Sequence, residues 1–257
     1  MTTIDPSAIV HPKAEIGENV TIGPFSWIHD GVRISDECQI GAGVIILPGT
    51  SLGKSCRVFH HAVVGEIPQD LKFVGEITTT EIGDRTTIRE FASIHRGTVY
   101  AMKTVVGSDC LIMANAHVAH DCIVGNHVIL ANSAALGGHV QIEDWALVGG
   151  LSGVHQFIRI GQHAIIAGCS KVTKDVPPYI TAGREPLAYE GLNLVGLKRR
   201  GFSPETIRII KQAYSVIYHS DYIVSDAVKK LEEIIDPSPE VSNIIHFIKN
   251  SPRGIIR

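Results

Sequence analysis

Hydrophobic positions recur every sixth residue over most of this chain. An Ile, Leu or Val leads each six-residue unit, in a series of ten units from Val10, three from Ile82 and twelve from Val106 to Val172. Glycine often follows the lead residue, and the residue four positions after the lead is usually small. Neither an α-helix nor an alternating β-strand has a period of six, so the pattern predicts a solenoid of repeated units.

Each six-residue unit predicts a short strand followed by a turn, and three units would form one triangular coil of a parallel β-helix. The lead residue would point inward, the small residue would fit the tapering interior, and glycine would permit the tight corner. Successive coils would hydrogen-bond at about 4.8 Å, the ordinary spacing of strands. One coil cannot bury its own apolar face, so stacking of coils supplies the stability. We therefore expect an all-β solenoid over residues 1–178.

Two interruptions break the series of units, at residues 69–80 and 99–104. They follow the tenth and thirteenth units, so a coil of three units places both loops at the same corner, one coil apart. Loops on a rigid scaffold often carry binding residues. A tolerated surface insertion is the plainer alternative. Because both loops emerge on the side that carries a group of histidines, the pattern favours a functional role.

Residues 18 apart stack in neighbouring coils, and this spacing gathers several positions on one side of the triangle: His117, His120, Asp121, Gly138, His139 and Gln156. A lone histidine is more often structural than catalytic, but this convergence favours catalysis. A histidine that titrates near neutral pH suits a general base, and Asp121 or another neighbour could hold its ring. Gly138 has no side chain, so its backbone N–H could donate to a developing oxyanion.

The repeat ends after Val172, where Pro177 and Pro178 remove the hydrogen-bond donors that a strand ladder needs. Residues 179–257 read as an irregular link followed by a helical domain. Serine caps and first-turn prolines predict helix starts at Ser203 and Ser238, and Ser225 predicts a third start, for a helix whose apolar face includes Ile235. The basic run Lys198–Arg200 precedes these helices, and it is either solvated or a binding site for phosphate groups.

Composition narrows the class of protein further. Hydrophobic residues make up 44% of the 257 residues and aromatic residues only 6%, so the core is aliphatic. A formal charge of −3 gives no electrostatic reason to expect nucleic acid as a partner. No apolar run approaches the roughly 20 residues of a membrane span, and the first residues do not resemble a signal peptide. Four of the five cysteines take the small position of the repeat, which predicts reduced core thiols and a cytoplasmic protein.

Several motifs are more specific than the repeat itself: GEIPQDLK (residues 65–72), IREFASIHRGT (88–98), NAHVAHDC (115–122), GGHV (137–140), GVHQF (153–157), DVPPY (175–179) and GLKRRGFS (196–203). Through these motifs the chain closely resembles, over its whole length, the UDP-N-acetylglucosamine acyltransferases, which begin lipid A biosynthesis. The resemblance implies a left-handed β-helix and a homotrimer with active sites between subunits. It also implies no metal and no cofactor, because the acyl donor is carried on the phosphopantetheine of acyl carrier protein.

The resemblance also implies a reaction and roles for residues. The reaction moves an (R)-3-hydroxyacyl chain from acyl carrier protein to the 3-position of the UDP-sugar. His120 corresponds to the general base and Gly138 to the oxyanion donor. Further residues correspond to substrate-binding positions: Asp70, Lys72, His117, His139 and Gln156 for the sugar nucleotide, His155 in support, and Asn193, Arg199 and Arg200 for nucleotide or phosphopantetheine. Gly168 corresponds to the residue that ends the acyl pocket, and Ile165 lies close enough to narrow that pocket.

One departure from the family pattern leaves an alternative substrate open. The family usually has an acidic residue two positions after the asparagine, but here Asn193 is followed by Leu194 and Val195. Some relatives acylate a 3-amino sugar and form an amide, so a 3-amino UDP-sugar is an alternative acceptor.

Three other classes of protein share part of this pattern of repeats and histidines. A zinc carbonic anhydrase of the hexapeptide class would also cluster histidines, but would not need the loop at 69–80 or the helical tail. A later N-acyltransferase of the same pathway carries an extra N-terminal domain, whereas the units begin here by Val10. A non-catalytic solenoid would not need the glycine between His120 and Gln156.

Overall fold

The computed structural model describes residues 1–234 and 238–257, in which it contains strands β1 to β28 and helices α1 to α4. In chain order the strands are β1 (Thr3–Ile4), β2 (Ile9–Val10), β3 (Glu15–Ile16), β4 (Thr21–Ile22), β5 (Trp27–Ile28), β6 (Arg33–Ile34), β7 (Gln39–Ile40), β8 (Ile45–Ile46), β9 (Thr50–Leu52), β10 (Arg57–Val58), β11 (Val63–Glu66), β12 (Thr79–Ile82), β13 (Thr87–Ile88), β14 (Ser93–His95), β15 (Lys103–Val106), β16 (Leu111–Ile112), β17 (His117–Val118), β18 (Ile123–Val124), β19 (Ile129–Leu130), β20 (Ala135–Leu136), β21 (Gln141–Ile142), β22 (Leu147–Val148), β23 (Gly153–Val154), β24 (Arg159–Ile160), β25 (Ile165–Ile166), β26 (Lys171–Val172), β27 (Ile180–Gly183) and β28 (Ala188–Leu192). The helices are α1 (Leu194–Arg199), α2 (Pro204–Tyr218), α3 (Val224–Ile234) and α4 (Pro239–Lys249).

Strands β1 to β26 form three parallel sheets that wrap into a triangular β-helix, as the period of six predicts. Every third strand belongs to the same sheet: sheet I contains β1, β4, β7 and so on to β25, sheet II runs from β2 to β26, and sheet III from β3 to β24. We name each corner by the two sheets that it joins in chain order, so corner II–III follows every strand of sheet II. The first coil begins at Ile4, one unit before the predicted series.

The interior of the coils is filled by the lead residues and by the small residues four positions later. Lead residues pair in register between coils, as Ile22 does with Ile40, and both are buried. The small positions are buried too, although Ile158 shows that one coil near the end admits a larger side chain. Cys38, Cys56, Cys110 and Cys122 lie in this core and Cys169 is exposed, which confirms the predicted burial of the four cysteines at the small position.

The corners are built differently from the prediction that glycine supplies the tight bend. The left-handed backbone position lies three residues after the lead and is held mostly by other residue types, such as Asn115 with φ 59° and His139 with φ 64°. Glycine immediately after the lead residue is required for a different reason, because the backbone of the next coil lies too close for a side chain. A Cβ atom at Gly17 would lie 2.7 Å from the backbone nitrogen of Asp36.

Two loops interrupt the β-helix, between β11 and β12 (residues 67–78) and between β14 and β15 (residues 96–102). Both leave corner II–III, one coil apart, as the counting of units predicts. Each loop begins and ends two or three residues before the predicted limits, because Thr79 and Lys103 already pair with each other as strand residues.

The chain after residue 178 contains more regular structure than predicted. β27 continues sheet I and forms an antiparallel hairpin with β28, where the sequence indicated only an irregular link, and α1 follows it. Ser203 and Ser238 cap α2 and α4, as predicted. The helix predicted after Ser225 is present as α3, with Val228 and Leu231 buried, but the predicted cap was wrong, because the helix begins at Val224 and so encloses Ser225. Ile235 lies outside the described residues.

Several contacts join the helical region to the β-helix, among them the Tyr214 hydroxyl donating to the carbonyl oxygen of Pro178 and the side chain of Arg159. Nη1 of Arg159 donates to the carbonyl oxygen of Asn250 over 2.7 Å, and its guanidinium group lies 4.6 Å from the ring centroid of Phe247. None of the helices in the described ranges is long and apolar enough to cross a bilayer.

Candidate active site

His120 and Asp121 occupy the turn that follows β17 at corner II–III. Nδ1 of His120 lies 2.8 Å from Oδ2 of Asp121. A carboxylate can only accept, so this contact places the proton of the neutral ring on Nδ1 and leaves Nε2 free as an acceptor. The Asp121 side chain is fully buried and that of His120 is 12% exposed. The pair therefore has the arrangement of an oriented base that reaches solvent.

The second loop surrounds the Asp121 carboxylate with hydrogen-bond donors. Oδ1 accepts from the backbone nitrogens of Thr98 at 2.8 Å and Ala101 at 3.2 Å, and Oδ2 accepts from the Thr98 hydroxyl at 2.6 Å. Burial raises the pKa of Asp121, but hydrogen bonds from Thr98 and His120 together with the nearby His139 lower it by more. The net pKa lies below the usual range of an aspartate, so the buried group is held as an anion.

Gly138 lies one coil above His120, as the 18-residue spacing predicts. A Cβ atom at Gly138 would lie 2.5 Å from Cε1 and 2.7 Å from Nε2 of His120, so only glycine leaves room for the ring. At the equivalent turn position of another corner, the N–H of Asn126 donates to the Asp144 carboxylate in the next coil. Within the described residues the N–H of Gly138 has no such acceptor. It is therefore available to a ligand.

Aromatic side chains enclose His139, which follows Gly138. Its ring stacks on Phe157 with centroids 4.2 Å apart, and Tyr100 of the second loop approaches edge-on at 4.6 Å. His139 Nδ1 lies 3.7 Å from Oδ2 of Asp121. Burial lowers the pKa of His139, and the Asp121 carboxylate only partly offsets this. The neutral form of the His139 ring is thus favoured beside His120 and Asp121.

His117 lies on the outer face of sheet II, one coil from Ser93 and His95. Its Nδ1 is 2.8 Å from the Ser93 hydroxyl, and its ring meets that of His95 edge to face at 4.8 Å. Burial lowers the pKa of His117, and burial lowers that of His95 to about 4. Sequence reasoning missed Ser93, His95 and Thr98. The available signal was that all three belong to the IREFASIHRGT motif, in the coil next to the histidines.

A cavity of about 490 Å³ opens along the outer face of sheet II and joins most of these groups. Its lining includes five of the predicted site residues: His117, His120, Gly138, His155 and Gln156. Gln69 of the first loop and Lys171 of β26 also line it. Asp70 lies near enough to His139 to affect its pKa, whereas Lys72 points from the loop into solvent. Nη1 of Arg253 lies 3.2 Å from Nδ1 of His155, so the C-terminal segment reaches the cavity rim.

The other predicted site residues lie elsewhere on the same chain. Asn193 is 3% exposed and caps α1, where its side chain accepts from the N–H of Gly196 and donates to the carbonyl oxygen of His163. A contact with substrate would require these bonds to break, so the geometry does not favour the binding role, which stays a prediction. Arg200 packs its guanidinium group 4.7 Å from the ring centroid of Trp145 at corner III–I, and Arg199 beside it is exposed.

Ile165 lies in β25 of sheet I, and Gly168 lies at corner I–II just after it. Neither residue lines the 490 Å³ cavity. A Cβ atom at Gly168 would meet the carbonyl oxygen of Gly150 at 3.2 Å, which confirms that these two glycines stack. A larger cavity of about 910 Å³ lies among β28, α1 and α2, and Lys198 of the basic run lines it. It shares no lining residue with the 490 Å³ cavity, and the histidine that lines it is His219.

The site also contains a potential set of metal ligands. The ligand atoms of His120, Asp121 and His139 lie within 4.8 Å of one another. Two imidazoles and a carboxylate suit a divalent cation such as zinc. The Asp121 oxygens, however, already accept from Thr98, Ala101 and His120, so an ion would have to displace part of this network.

Comparison with known proteins agrees with the fold. Three family models match: "Udp N-acetylglucosamine O-acyltransferase; Domain 2" over residues 175–256, "Bacterial transferase hexapeptide (six repeats)" over 103–138, and "Hexapeptide repeat of succinyl-transferase" over 13–48 and 31–58. The chain is 45% identical over 258 aligned residues, covering all of both chains, to the acyl-[acyl-carrier-protein]–UDP-N-acetylglucosamine O-acyltransferase of Myxococcus xanthus.

Solved structures give the same result. A UDP-N-acetylglucosamine acyltransferase from Bacteroides fragilis superposes with a TM-score of 0.97 at 48% identity, covering 98% of this chain and 99% of that one. The enzyme from Francisella novicida superposes with a TM-score of 0.96 at 37% identity, covering 99% and 94%.

A β-helix of six-residue units that carries an oriented histidine beneath a free backbone N–H defines an acyltransferase of the hexapeptide-repeat class. The left-handed form of the helix is confirmed by the likeness to these structures. Within that class, the chain belongs to the UDP-N-acetylglucosamine acyltransferase family.

Proposed function

We propose that this chain transfers an (R)-3-hydroxyacyl group from acyl carrier protein to the 3-hydroxyl of UDP-N-acetylglucosamine, the first step of lipid A biosynthesis. The observation that carries the proposal is the His120–Asp121 pair beneath the free N–H of Gly138. The Myxococcus xanthus relative is named for an acyl carrier protein donor and a UDP-N-acetylglucosamine acceptor, which supports the same substrates here.

The site groups account for each step of such a transfer. Nε2 of His120 takes the proton of the sugar hydroxyl as its oxygen attacks the thioester carbon. Asp121 holds the ring and stabilises the imidazolium that forms. The carbonyl oxygen becomes an oxyanion and receives the N–H of Gly138. When the intermediate collapses, the C–S bond breaks and the phosphopantetheine thiolate leaves with the proton that His120 had taken.

The remaining predicted residues fit a site shared between subunits of a homotrimer. His117, His139, His155, Gln156 and Asp70 surround the base within one chain and would hold the sugar nucleotide. Asn193, Arg199 and Arg200 lie at or near corner III–I, away from His120. A neighbouring subunit would bring its own copies to this cavity, as it would bring Gly168 and Lys72. Acyl carrier protein is the proposed partner and the cytoplasm the proposed location.

The proposal is tested by mass spectrometry of the product from a panel of 3-hydroxyacyl carrier protein thioesters and two UDP-sugars, one with a 3-hydroxyl and one with a 3-amino group. We expect an ester on the 3-hydroxyl sugar. Formation of an amide alone would instead support the alternative acceptor, which Val195 leaves open. His120→Ala should lower kcat by about 100-fold or more, the usual weight of a general base. A folded His120→Ala variant with normal turnover would remove His120 from the role.

A zinc enzyme resembling the hexapeptide carbonic anhydrases is the second candidate, because His120, Asp121 and His139 could ligate an ion. It is less favoured because the hydrogen-bond network of Asp121 would have to open. Metal analysis of purified protein, combined with a carbon dioxide hydration assay, separates the two. Stoichiometric zinc and hydration activity would support the carbonic anhydrase, and acyl transfer that persists in chelator would support the acyltransferase.

A further inference from the structure

The second loop, residues 96–102, interrupts the repeat at the point where it can enclose the Asp121 carboxylate. Three donors reach that carboxylate from the loop: the N–H of Thr98, the hydroxyl of Thr98 and the N–H of Ala101. We propose that this loop is a carboxylate clamp and that Thr98 is a positioning residue, which holds Asp121 in line with His120. The inference rests on the proposed role of His120 as the base.

The direction of the Thr98 hydroxyl is fixed by its two partners. Its oxygen accepts from the N–H of Tyr100 over 3.2 Å, and its other contact is the Asp121 Oδ2 oxygen at 2.6 Å. Because an ionised carboxylate can only accept, the hydroxyl hydrogen must point at Oδ2. That same oxygen accepts from His120. Thr98 and His120 therefore share one acceptor atom, and the position of one constrains the other.

The loop is shaped to keep this contact in place. The N–H of Met102 donates to the carbonyl oxygen of Thr98 over 2.8 Å, which closes residues 98–102 into a turn. Thr98 itself is 7% exposed and its side chain has no contact with the 490 Å³ cavity. It thus acts on the reaction only through Asp121. Thr104 supports the arrangement from β15, where its hydroxyl oxygen accepts from the N–H of Asp121 over 2.8 Å.

Burial explains why the carboxylate needs a clamp. An ionised carboxylate without donors is costly inside a protein, and it becomes protonated instead. A protonated Asp121 would not orient His120. The other titratable groups that face this pair are few within the described residues: His95, His117 and His139 from sheet II and its corner, and Asp70 from the first loop, which acts on His139. The clamp supplies three of the hydrogen bonds that keep the group an anion.

The test is Thr98→Val, which removes the hydroxyl and keeps the shape of the side chain. Oδ2 then loses one donor, so its charge acts more strongly on the imidazolium of His120 while its position is less constrained. We expect kcat to fall about 10- to 100-fold, as for a misplaced catalytic group, with KM for both substrates within about twofold. The acidic limb of the pH profile of kcat/KM should move upward by about half a pH unit or more. Thr98→Ser should restore both quantities.

Thr86→Val is the matched control. Thr86 is also a buried threonine four residues after a lead residue, Ile82, and its hydroxyl donates to the carbonyl oxygen of Gly107 rather than to Asp121. The Thr86→Val variant should lose stability, because a buried hydroxyl is removed, but its pH profile of kcat/KM should be unchanged. The proton resonance of His120 Nδ1–H, observed by NMR without substrate, should change its chemical shift in Thr98→Val and not in Thr86→Val.

The outcomes separate this inference from the proposed function. Normal kcat in Thr98→Val, or a loss that Thr98→Ser shares with no change in the pH profile, would overturn the positioning role. An active His120→Ala enzyme would overturn the proposed base, and the NMR result would still report whether Thr98 fixes the pair. If His120→Ala loses activity but Thr98→Val keeps the wild-type resonance of His120 Nδ1–H, then the proposed role of His120 as base stands and the proposed role of Thr98 is overturned.

Discussion

Gly138 lies one coil above His120, so close that a methyl group at Gly138 would meet the imidazole at 2.5 Å. The ring can occupy its position only because residue 138 carries no side chain. Gly138→Ala should therefore push His120 away from Asp121 and lower kcat by about 100-fold, the effect of a displacement of about 1 Å. Steady-state kinetics with a thermal unfolding control checks this. A stable variant with wild-type kcat would show that the ring has room to move.

His163 gives a pH dependence to folding. Burial, together with the nearby Arg200 guanidinium group, lowers the pKa of His163 to about 4. Between pH 6.5 and 4 the unfolded chain binds a proton that the folded chain does not, so stability should fall as the pH falls, by at most about 1.4 kcal/mol per pH unit. His163→Phe would keep the stack between Trp145 and Tyr179 and should flatten this slope in denaturant titrations. If the unfolding free energy of the variant falls just as steeply with falling pH, then other groups cause the effect, and His95, whose pKa is also lowered, is the next candidate.

Arg199 and Arg200 are predicted to meet phosphate groups rather than reacting atoms. Arg199→Ala and Arg200→Ala should raise KM for UDP-sugar or for acyl carrier protein and leave kcat nearly unchanged. Arg208→Ala is a suitable control, because Arg208 forms an exposed ion pair with Glu205 and such pairs contribute little. Loss of kcat at constant KM would point to a different role for the two arginines.

A homotrimer is expected because the single chain leaves large apolar side chains uncovered. Ile9 and Trp27 on the face of sheet II are exposed, and so are Leu71, Val74 and Ile77 in the first loop. Large exposed apolar surface usually marks an interface. Sedimentation equilibrium should give three times the chain mass, and Leu71→Asp should weaken assembly and activity together. An active monomer would contradict the shared site.

Gly168 is predicted to set the length of the acyl chain, as the family resemblance implies. Gly168 and Gly150 place no side chain in the path of an acyl chain, and each methylene group buried against them would contribute about 0.8 kcal/mol. Gly168→Met would occupy that path and cost roughly 1–3 kcal/mol with long donors. We expect a preference for long 3-hydroxyacyl chains in the native enzyme and for shorter ones in the variant, with an unchanged KM for UDP-sugar. Competition between donors of different length measures this, and an identical profile in both enzymes would place the limit elsewhere, Ile165 included.

The β-helix could be predicted from sequence because one inward residue per strand repeats at a fixed interval, as the alignment of Ile22 with Ile40 shows. The column of His120, Gly138 and Gln156 follows from the same interval. The corner position whose backbone has a positive φ could not be predicted from sequence, because residues as different as Asn115, His139 and Phe157 occupy it. The hairpin of β27 and β28 was missed because its short strands lie in a stretch rich in glycine and proline that has no period.

The groups that hold the His120–Asp121 pair could not be predicted from sequence for a related reason. Counting places Thr98 at the small position four residues after Ile94, just before the predicted interruption, whereas in the structure it belongs to the loop 96–102 and donates to Asp121. Its contact with Asp121 depends on how the loop folds back over 98–102, which no spacing in the sequence encodes. Asn193 shows the opposite case, since a residue expected to bind a ligand proves to cap a helix.

The two loops have lengths of whole repeats. Stacked partners are 18 positions apart in most coils, as Ile45 and Val63 are, but 30 apart across the first loop, from Arg57 to Thr87, and 24 across the second, from Ser93 to His117. The first loop thus adds two units and the second adds one, and the phase of the chain never changes. Tyr100 and Asp70 stand at the phase of core residues, yet the Tyr100 ring packs against His139 and Asp70 lies near enough to His139 to affect its pKa. Units that left the ladder thus complete a site whose histidines lie on regular coils, and removing residues 97–102 would take away the donors of Thr98 and Ala101 while every remaining coil stayed in step.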